Sequence, residues 1–454
     1  MERALTEVGT HDAENVRRGW LRVFRRLMTG RVAVFLGTIL ALLLLNSIRT
    51  ILFPPPPPEP GDIVILSGND DSVNGQREQL LAQWNSQHPQ NRAVFKTVHG
   101  DADAQHSAMV SQAQAADSTV DIYNLDVTWV TEFAQAHYIR PLDDADTAGF
   151  LVKPLSTCQV DGTLYALPFN TDAGLLYYRT DLVPDAPKEQ MPPSVEIMHK
   201  IIDSHPEVAG GYAMQLGRYE GLTVNALESI WAAGGDVVNG SGQVTVDSPQ
   251  VADGLRRLAQ ASAAPADRPG VWPGSYSGPD GQGGREKDST NAFAAGAVVL
   301  MRNWPVAYGQ LTHQPDSAPS AGASVHFATA QLPGPSVLGG QDLAVASDSR
   351  RPRAAQALVE FLTNDTSEKQ LFREGALPAT RVDAYSDALV RAAQPYATTL
   401  LIALNNARLR PVTPNYPLFS GVFQRIVLEA LHADGKVPSS AVRELTNALN
   451  GRLE

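Results

Sequence analysis

The side chains of this chain that could do chemistry are carboxylates, a few arginines and isolated tryptophans, and they form no reacting constellation. There is no GxSxG nucleophile turn, no P-loop and no HExxH helix, and the ten histidines show no ligand spacing. The run GQGG around Gly281 lies in a loop, without the strand–turn–helix context that a dinucleotide requires. Cys158 is the single cysteine, which excludes an intrachain disulfide and a multi-cysteine metal site; it reads as a small buried hydrophobe. Neither a metal nor a cofactor is expected. What remains suits holding rather than reacting. Asp126 ends an apolar run, either as an acceptor at a strand's carboxyl end or as the cap of a helical segment from Val127. Trp304, between Asn303 and Pro305 after an apolar strand, is either a stacking surface or a core residue. Trp272 stands in a Gly/Pro loop without helically spaced neighbours and reads as a lid aromatic. Trp84 and Trp231 lie on apolar helix faces, and Trp129 is intermediate. Asp70 and Asp71 suit a tight turn, and Glu220 either accepts from a ligand or caps a helix starting near Leu222.

The elements that must position these groups alternate between β and α. The run 61–68 reads as a strand and 76–88 as a helix with Leu80, Leu81 and Trp84 on one face. Strand 93–98, helix 103–117, strand 120–125 and helix 129–136 follow. Such alternation predicts a mostly parallel sheet covered on both faces, with ligands beyond the carboxyl ends of its strands. Asn69, Asp70 and Asp71 follow the first strand, and Asp126 follows the third. The stretch 162–182, GTLYALPFNTDAGLLYYRTDL, reads as strands 164–169 and 175–178 about a polar break at Asn170, Thr171 and Asp172. It is either one hairpin or a chain crossing between two lobes with the polar residues lining the gap. Further on come a helix at 222–233, a hairpin at 234–246 with an Asn-Gly signal and a helix from Ser248. A Pro/Gly/Ser-rich loop spans 265–289, and an apolar strand precedes Arg302-Asn303-Trp304-Pro305. A second crossing is expected at 328–332, then helices at 352–362 and 367–374, and a largely helical last hundred residues broken at 410–417. No internal repeat is present.

The 454 residues suffice for two domains, each with its own core. Net charge is −12, but residues 1–53 carry +4 and the remainder −16. An acidic body argues against a nucleic-acid partner, whose affinity comes largely from Lys and Arg neutralising phosphates. Six arginines between Arg17 and Arg31 precede an apolar run, 32–48, that continues past Arg49 to Phe53. About 20 helical residues span a bilayer, so the run suffices if Arg49 reaches the interface. The arginine excess places the N-terminus in the cytoplasm and the rest outside. A cleaved signal peptide is the competing reading; its apolar region is usually shorter and ends at small residues, whereas this one ends in Ile51-Leu52-Phe53 and prolines. The expected organisation is a basic segment at 1–30, a transmembrane helix at 31–53 and a stiff Pro-rich linker at 54–60.

The stretch 162–182, in the pattern G-LYALPFN-D---LYY---DL, resembles the first interlobe crossing of the extracellular solute-binding proteins that feed ABC sugar importers, the maltose- and trehalose-binding type. VDIYNLDVTWVTEFA, RYEGLTVNALESIWAAGG, FAAGAVVLMRNWPVAY, LGGQDLAVAS with the later GALPAT, and LRPVTPNYPLFSGVF resemble further segments of that family in order. The resemblance implies a two-lobe periplasmic-binding-protein-like α/β fold with an interlobe cleft, preceded here by one N-terminal transmembrane helix. Lobe 1 would comprise 61–167 and 328–375, and lobe 2 would comprise 168–327 and 376–454. It also implies that Asp126 and Trp129 face the cleft, that one of Asp70 and Asp71 faces sugar beside Asn69, and that Arg410 is brought to the ligand. Asn170 and Asp172 would line the hinge, Gly339 and Gly340 would let backbone approach ligand closely, and Trp304, Trp272 and Glu220 would complete the site. The implied function is capture of a small oligosaccharide, trehalose or another α-linked disaccharide, and delivery to ABC permease subunits from a membrane-anchored, extracytoplasmic position. No lipid-bearing cysteine follows the apolar run, a departure that leaves attachment to the helix. Two alternatives stand beside this: a sensory receptor using the same lobes, and a glycosidase whose turnover is lost with Asp126→Asn.

Overall fold

The computed structural model describes residues 34–35, 37–38, 40–41, 57–183, 185, 195–206, 208–262, 270–278, 281–313 and 325–453. The chain divides into two compact units, Met1–Pro58 and Glu59–Glu454. In the first unit, the expected basic segment and almost all of the expected membrane span lie outside the described residues. Those described at 34–41 are helical and exposed. Among the described residues no helix is long and apolar enough to cross a membrane.

In the second unit, β1 (Ile63–Ser67), α1 (Gln76–Gln87), β2 (Ala93–Thr97), α2 (Ala102–Ala115), β3 (Ile122–Asp126), α3 (Val130–Gln135) and α4 (Val152–Thr157) lead to β4 (Ala166–Ala173) and β5 (Leu175–Arg179). Then come α5 (Val195–Ser204), β6 (Gly210–Ala213), α6 (Glu220–Ala232), α7 (Pro249–Ser262), α8 (Glu286–Ala294), β7 (Val298–Asn303), α9 (Val306–Thr312), β8 (Phe327–Gln331) and β9 (Leu338–Val345). The chain ends in α10 (Pro352–Leu362), α11 (Asp365–Gly375), α12 (Ala388–Ala393), α13 (Ala397–Asn406), α14 (Tyr416–His432) and α15 (Ala441–Leu449).

Two sheets organise these elements. The first has strand order β2-β1-β3-β9-β4, with β1 parallel to β2 and β3, and β9 antiparallel to both its neighbours. The second has order β8-β5-β7-β6, in which only β6 and β7 run parallel. Successive side chains of a strand point to opposite faces, and β9 shows the consequence. Leu343 and Val345 join Ile63, Ile65, Leu358 and Leu362 on one face, while Ala344 and Ala346 join Leu66, Tyr123 and Phe133 on the other. Both faces are covered, which is why β1 and β7 are almost continuously apolar. Leu176, Tyr212 and Ile230 form part of one core of the second sheet, and Leu175, Tyr177 and Phe293 part of another.

Several sequence expectations are corrected. No polar break divides 164–178: β4 runs straight through Asn170, Thr171 and Asp172, whose backbone pairs with Gly339, Gly340 and Gln341. Backbone pairing with β9 keeps the strand intact through polar side chains. The hairpin reading of 162–182 fails as well, because β4 and β5 belong to different sheets. All of β4 belongs to the first sheet and all of β8 to the second, so the sheets change at Gly174 and between Gln331 and Leu338, not at 167/168 and 327/328. The 234–246 segment folds back as a short hairpin with one antiparallel bridge, Val238 to Val244, and the Asn239 side chain gathers its turn by accepting from Ser241 and Gln243. At the linker's end Glu59 accepts from the first backbone amides of α10 and pairs with Arg353 at 2.9 Å.

Candidate functional site

Two segments carry the chain between the sheets and a third, after α13, runs beside the second; the functional side chains gather where they pass. At the first, Gly174 admits no side chain: a Cβ there would lie 2.7 Å from both Arg302 Nη2 and Glu228 Oε1. Just past the second, within β9, Gly340 has φ +124°, and a Cβ would fall 2.2 Å from the Asn170 carbonyl oxygen. A Cβ on Gly339 would meet the Trp304 indole at 3.1 Å and Asp172 Cβ at 3.2 Å. The third segment, after α13, is laced to the second by Arg408 N donating to Ser336 O at 2.8 Å and Leu338 N donating to Arg408 O at 2.9 Å. It delivers Arg410 two residues later.

Arg410 is 5% exposed and forks between the lobes. Its Nη2 donates to Asp126 Oδ1 at 2.9 Å and its Nη1 to Glu220 Oε1 at 2.8 Å. Asp126 ends β3 in lobe 1, and Glu220 opens α6 in lobe 2, where the helix dipole favours a negative charge. Asp126 stands at the strand's carboxyl end, and the helix-cap reading is corrected: Oδ1 accepts from Thr128 N and Thr128 Oγ1 and so closes a turn, while α3 begins only at Val130 with Trp129 at its N-cap position. Glu220 accepts further from Tyr416 and from Ser420 Oγ. Burial opposes charge on Arg410, but Asp126, Tyr416 and Glu220 outweigh it and raise its pKa above the ordinary guanidinium value. A hydroxyl-rich recess walled by Thr128, Thr131, Ser156, Thr157 and Val412 adjoins the arginine.

Trp304 lies beside this clasp, half-buried, with the Arg302 guanidinium carbon 4.0 Å from its ring centroid. Its Nε1 donates to Glu286 Oε1 at 3.4 Å, and Tyr219 donates to Glu286 Oε2 at 2.8 Å. Asp172 presents one carboxylate oxygen to Asn170 Nδ2 at 3.5 Å, while its Oδ1 is buried without a hydrogen-bond partner. Burial pushes its pKa up to about 7 against the opposing charge of Arg302. At the mouth, Arg285 Nη2 of lobe 2 pairs with Asp101 Oδ2 of lobe 1 at 2.8 Å. Asp103 lies near Gln424 across the same gap. Burial raises the Asp103 carboxyl to about 6, with Glu220 and Asp101 adding to it. These bonds describe lobes closed on each other.

The structure brings together Asp126, Asn170, Asp172, Glu220, Trp304, Gly339, Gly340 and Arg410. Asp71 stays exposed, near Arg77, Asp70 and Glu286. Other expected residues are placed elsewhere. Asp70 holds its own turn through Oδ1, which accepts from Ser72 N at 3.0 Å, while its Oδ2 is buried without a hydrogen-bond partner. Asn69 bonds His99 at 2.9 Å on the exposed rim. Trp129, expected to face the cleft, is 6% exposed and packs with Leu66, Met109 and Phe133 beside the His106 ring, because α3 turns its apolar face to the sheet. Trp272, expected as a lid, folds over Gly274 and packs on the Phe293 and Met301 cluster.

Sequence reasoning missed Glu286, Arg302, Tyr219, Tyr416 and the Asp101–Arg285 pair. Only Glu286 carried a local signal: GREKD after a Gly-rich run is a helix start, with Arg285 N donating to Asp288 Oδ2 at 3.0 Å. The arrangement can clasp a polar ligand with carboxylates, an arginine and one indole. Asp126 and Glu220 are both engaged by Arg410. Among the described residues no cluster of three or more His, Cys, Asp or Glu could hold a metal ion.

A family model described as bacterial extracellular solute-binding protein matches residues 79–397. A Deinococcus radiodurans protein named "Probable ABC transporter-binding protein" is 32% identical over 382 residues, covering 79% of this chain and 86% of that protein. The structure of maltose-bound T. maritima MalE3 superposes with a TM-score of 0.74 at 28% identity, covering 86% of this chain and 99% of that one. The GacH receptor of Streptomyces glaucescens shares the fold, with a TM-score of 0.73 at 19% identity, covering 87% of this chain and all of that one (100%).

Proposed function

Because the chain belongs to the bacterial extracellular solute-binding proteins, a family of binding proteins and not of enzymes, we propose that its cleft captures a small oligosaccharide, with an α-linked disaccharide such as maltose or trehalose as the leading ligand, for delivery to an ABC permease. The observation that carries this reading is the fork of Arg410 between one carboxylate of each lobe. A sugar presents hydroxyls at its rim and C–H patches on its faces. Charge-assisted hydrogen bonds are roughly twice as strong as neutral ones, so carboxylates and an arginine suit the rim, and an indole suits the face. Asp172, with its buried unpartnered oxygen, Glu286 and Asp71 are the acceptors for hydroxyls, and Trp304 is the stacking surface. The maltose bound by the T. maritima protein supports the choice of sugar class. Ligand contacting both lobes favours the closed form, and turning a mostly open population into a mostly closed one needs about 5.5 kcal/mol of differential affinity.

Anchoring by an N-terminal helix across 31–53 is part of the same proposal, supported by the apolar run and its arginine-rich flank. Calorimetric titration of the chain against a disaccharide panel tests the ligand. Heat with an α-linked disaccharide is the expected result, and no heat with any sugar refutes the reading. Protease protection of the 1–30 segment in intact cells, with the body accessible, tests the anchor.

A further inference from the structure

The strongest feature that the binding scheme does not use is a buried ion pair behind Trp304. Arg302 donates from Nε to Glu228 Oε2 at 2.9 Å and from Nη2 to Glu228 Oε1 at 2.7 Å, with the two side chains 1% and 2% exposed. Burial works against the charge of Arg302, but Glu228, by charge and by hydrogen bond, outweighs it and raises its pKa. Stability alone does not account for such a pair, because replacing buried ion pairs with apolar residues of similar volume is often neutral or stabilising.

Its surroundings point to a different use. The guanidinium carbon sits 4.0 Å from the Trp304 ring centroid, within cation–π range. Glu286 takes the indole N–H, and Gly339 lies against the far edge of the ring. The ion pair also touches both strand crossings. Glu228 Oε1 accepts from Val337 N at 3.1 Å, just before β9, and Gly174 leaves no more than the space these same two side chains fill. Gln215 closes the set by donating to the Arg302 carbonyl oxygen at 2.9 Å.

We propose that Arg302 and Glu228 are positioning residues: their buried pair sets the tilt of the Trp304 ring and ties that tilt to the two strand crossings, so that the stacking surface is in place when the lobes close. The use of that surface by a sugar rests on the function proposed above, whereas the fixing of the ring does not.

The test separates the two. Full-length chain labelled with fluorotryptophan is followed by fluorine NMR without ligand, with Trp304→Phe assigning one of the six tryptophans. The double variant Arg302→Met/Glu228→Met removes the charges while retaining apolar volume. In it the Trp304 resonance alone is expected to move toward the position of freely rotating indole, and an unmoved resonance overturns the proposal. Should the double variant lose dispersion at every tryptophan, Arg302→Lys decides by the same criterion, since it keeps the charge but not the planar fork. Titration with maltose and trehalose supplies the second readout. Affinity of the folded variant is expected to fall about tenfold, the scale of a desolvated cation–π contact, and unchanged affinity overturns the role in binding. If wild-type chain binds neither sugar, the ligand reading fails and the fluorine result still decides whether the pair holds the ring.

Discussion

Arg410→Met strikes a side chain that bonds both lobes. Asp126 keeps its two bonds from Thr128, and Glu220 keeps Tyr416 and Ser420, so neither carboxylate is left bare. The loss therefore lies below the ~3–5 kcal/mol typical of breaking an isolated buried pair. Only the bridge made on closing counts toward ligand affinity, because the other can persist with the lobes apart. One hydrogen-bonded charge pair contributes ~1.5–3 kcal/mol, which translates to roughly 10- to 150-fold weaker binding. Arg410→Lys is expected between wild type and Met, since an ammonium cannot fork across two acids. Calorimetry with the disaccharide that binds best reads the affinity, and small-angle scattering of ligand-free protein reads the shift toward open lobes. A folded Arg410→Met variant that binds within twofold of wild type refutes the clasp.

Three further outcomes follow from the same geometry. Asp101→Asn keeps the cap on Ala104 N but breaks the charge pair with Arg285; the partly exposed bridge contributes ~0.2–1 kcal/mol, so affinity should fall up to about fivefold at low salt and hardly at high salt, and calorimetry at two ionic strengths that shows no difference counts against the latch. Asp342 is buried with Oδ1 unpartnered, and burial pushes its pKa from 3.8 to about 7. The folded protein then binds more protons than the unfolded chain between those values, so this group's stabilising contribution is whole below about pH 4 and is lost as pH rises through about 7. Asp342→Asn should flatten that loss and unfold at higher denaturant than wild type at pH 8 but not at pH 4, by ~2 kcal/mol once the unpaired amide is allowed for; a constant offset at both pH values contradicts it. Gly340→Ala places a Cβ against the Asn170 carbonyl at positive φ and should cost at least ~1–3 kcal/mol, read as a lowered melting temperature.

Much of the scaffold was legible because each element carries its own period. Leu80, Leu81 and Trp84 mark α1 as a helix with one apolar face, and the near-continuous Val-Val-Leu-Met of β7 marks a strand covered on both sides. Asp126 was legible as the residue beyond a strand's carboxyl end. Trp129 and Trp272 were not separable from Trp304 by type or neighbours, because which face of an element meets the core depends on partners distant in sequence. The strand through Asn170–Asp172 was missed for the same reason: its pairing partner, β9, lies more than 160 residues away along the chain.

Taken alone, the order of residues determined the alternating elements, the acidic body with its basic, apolar N-terminal run, and the lack of any catalytic motif, since these depend on composition and near-neighbour spacing. Tertiary structure alone decided that Arg410 meets Asp126 and Glu220, that Arg285 meets Asp101, and that Arg302 lies under Trp304. Each of the first two contacts joins groups from different lobes, and a charge finds its partner by proximity in space, which no local pattern encodes.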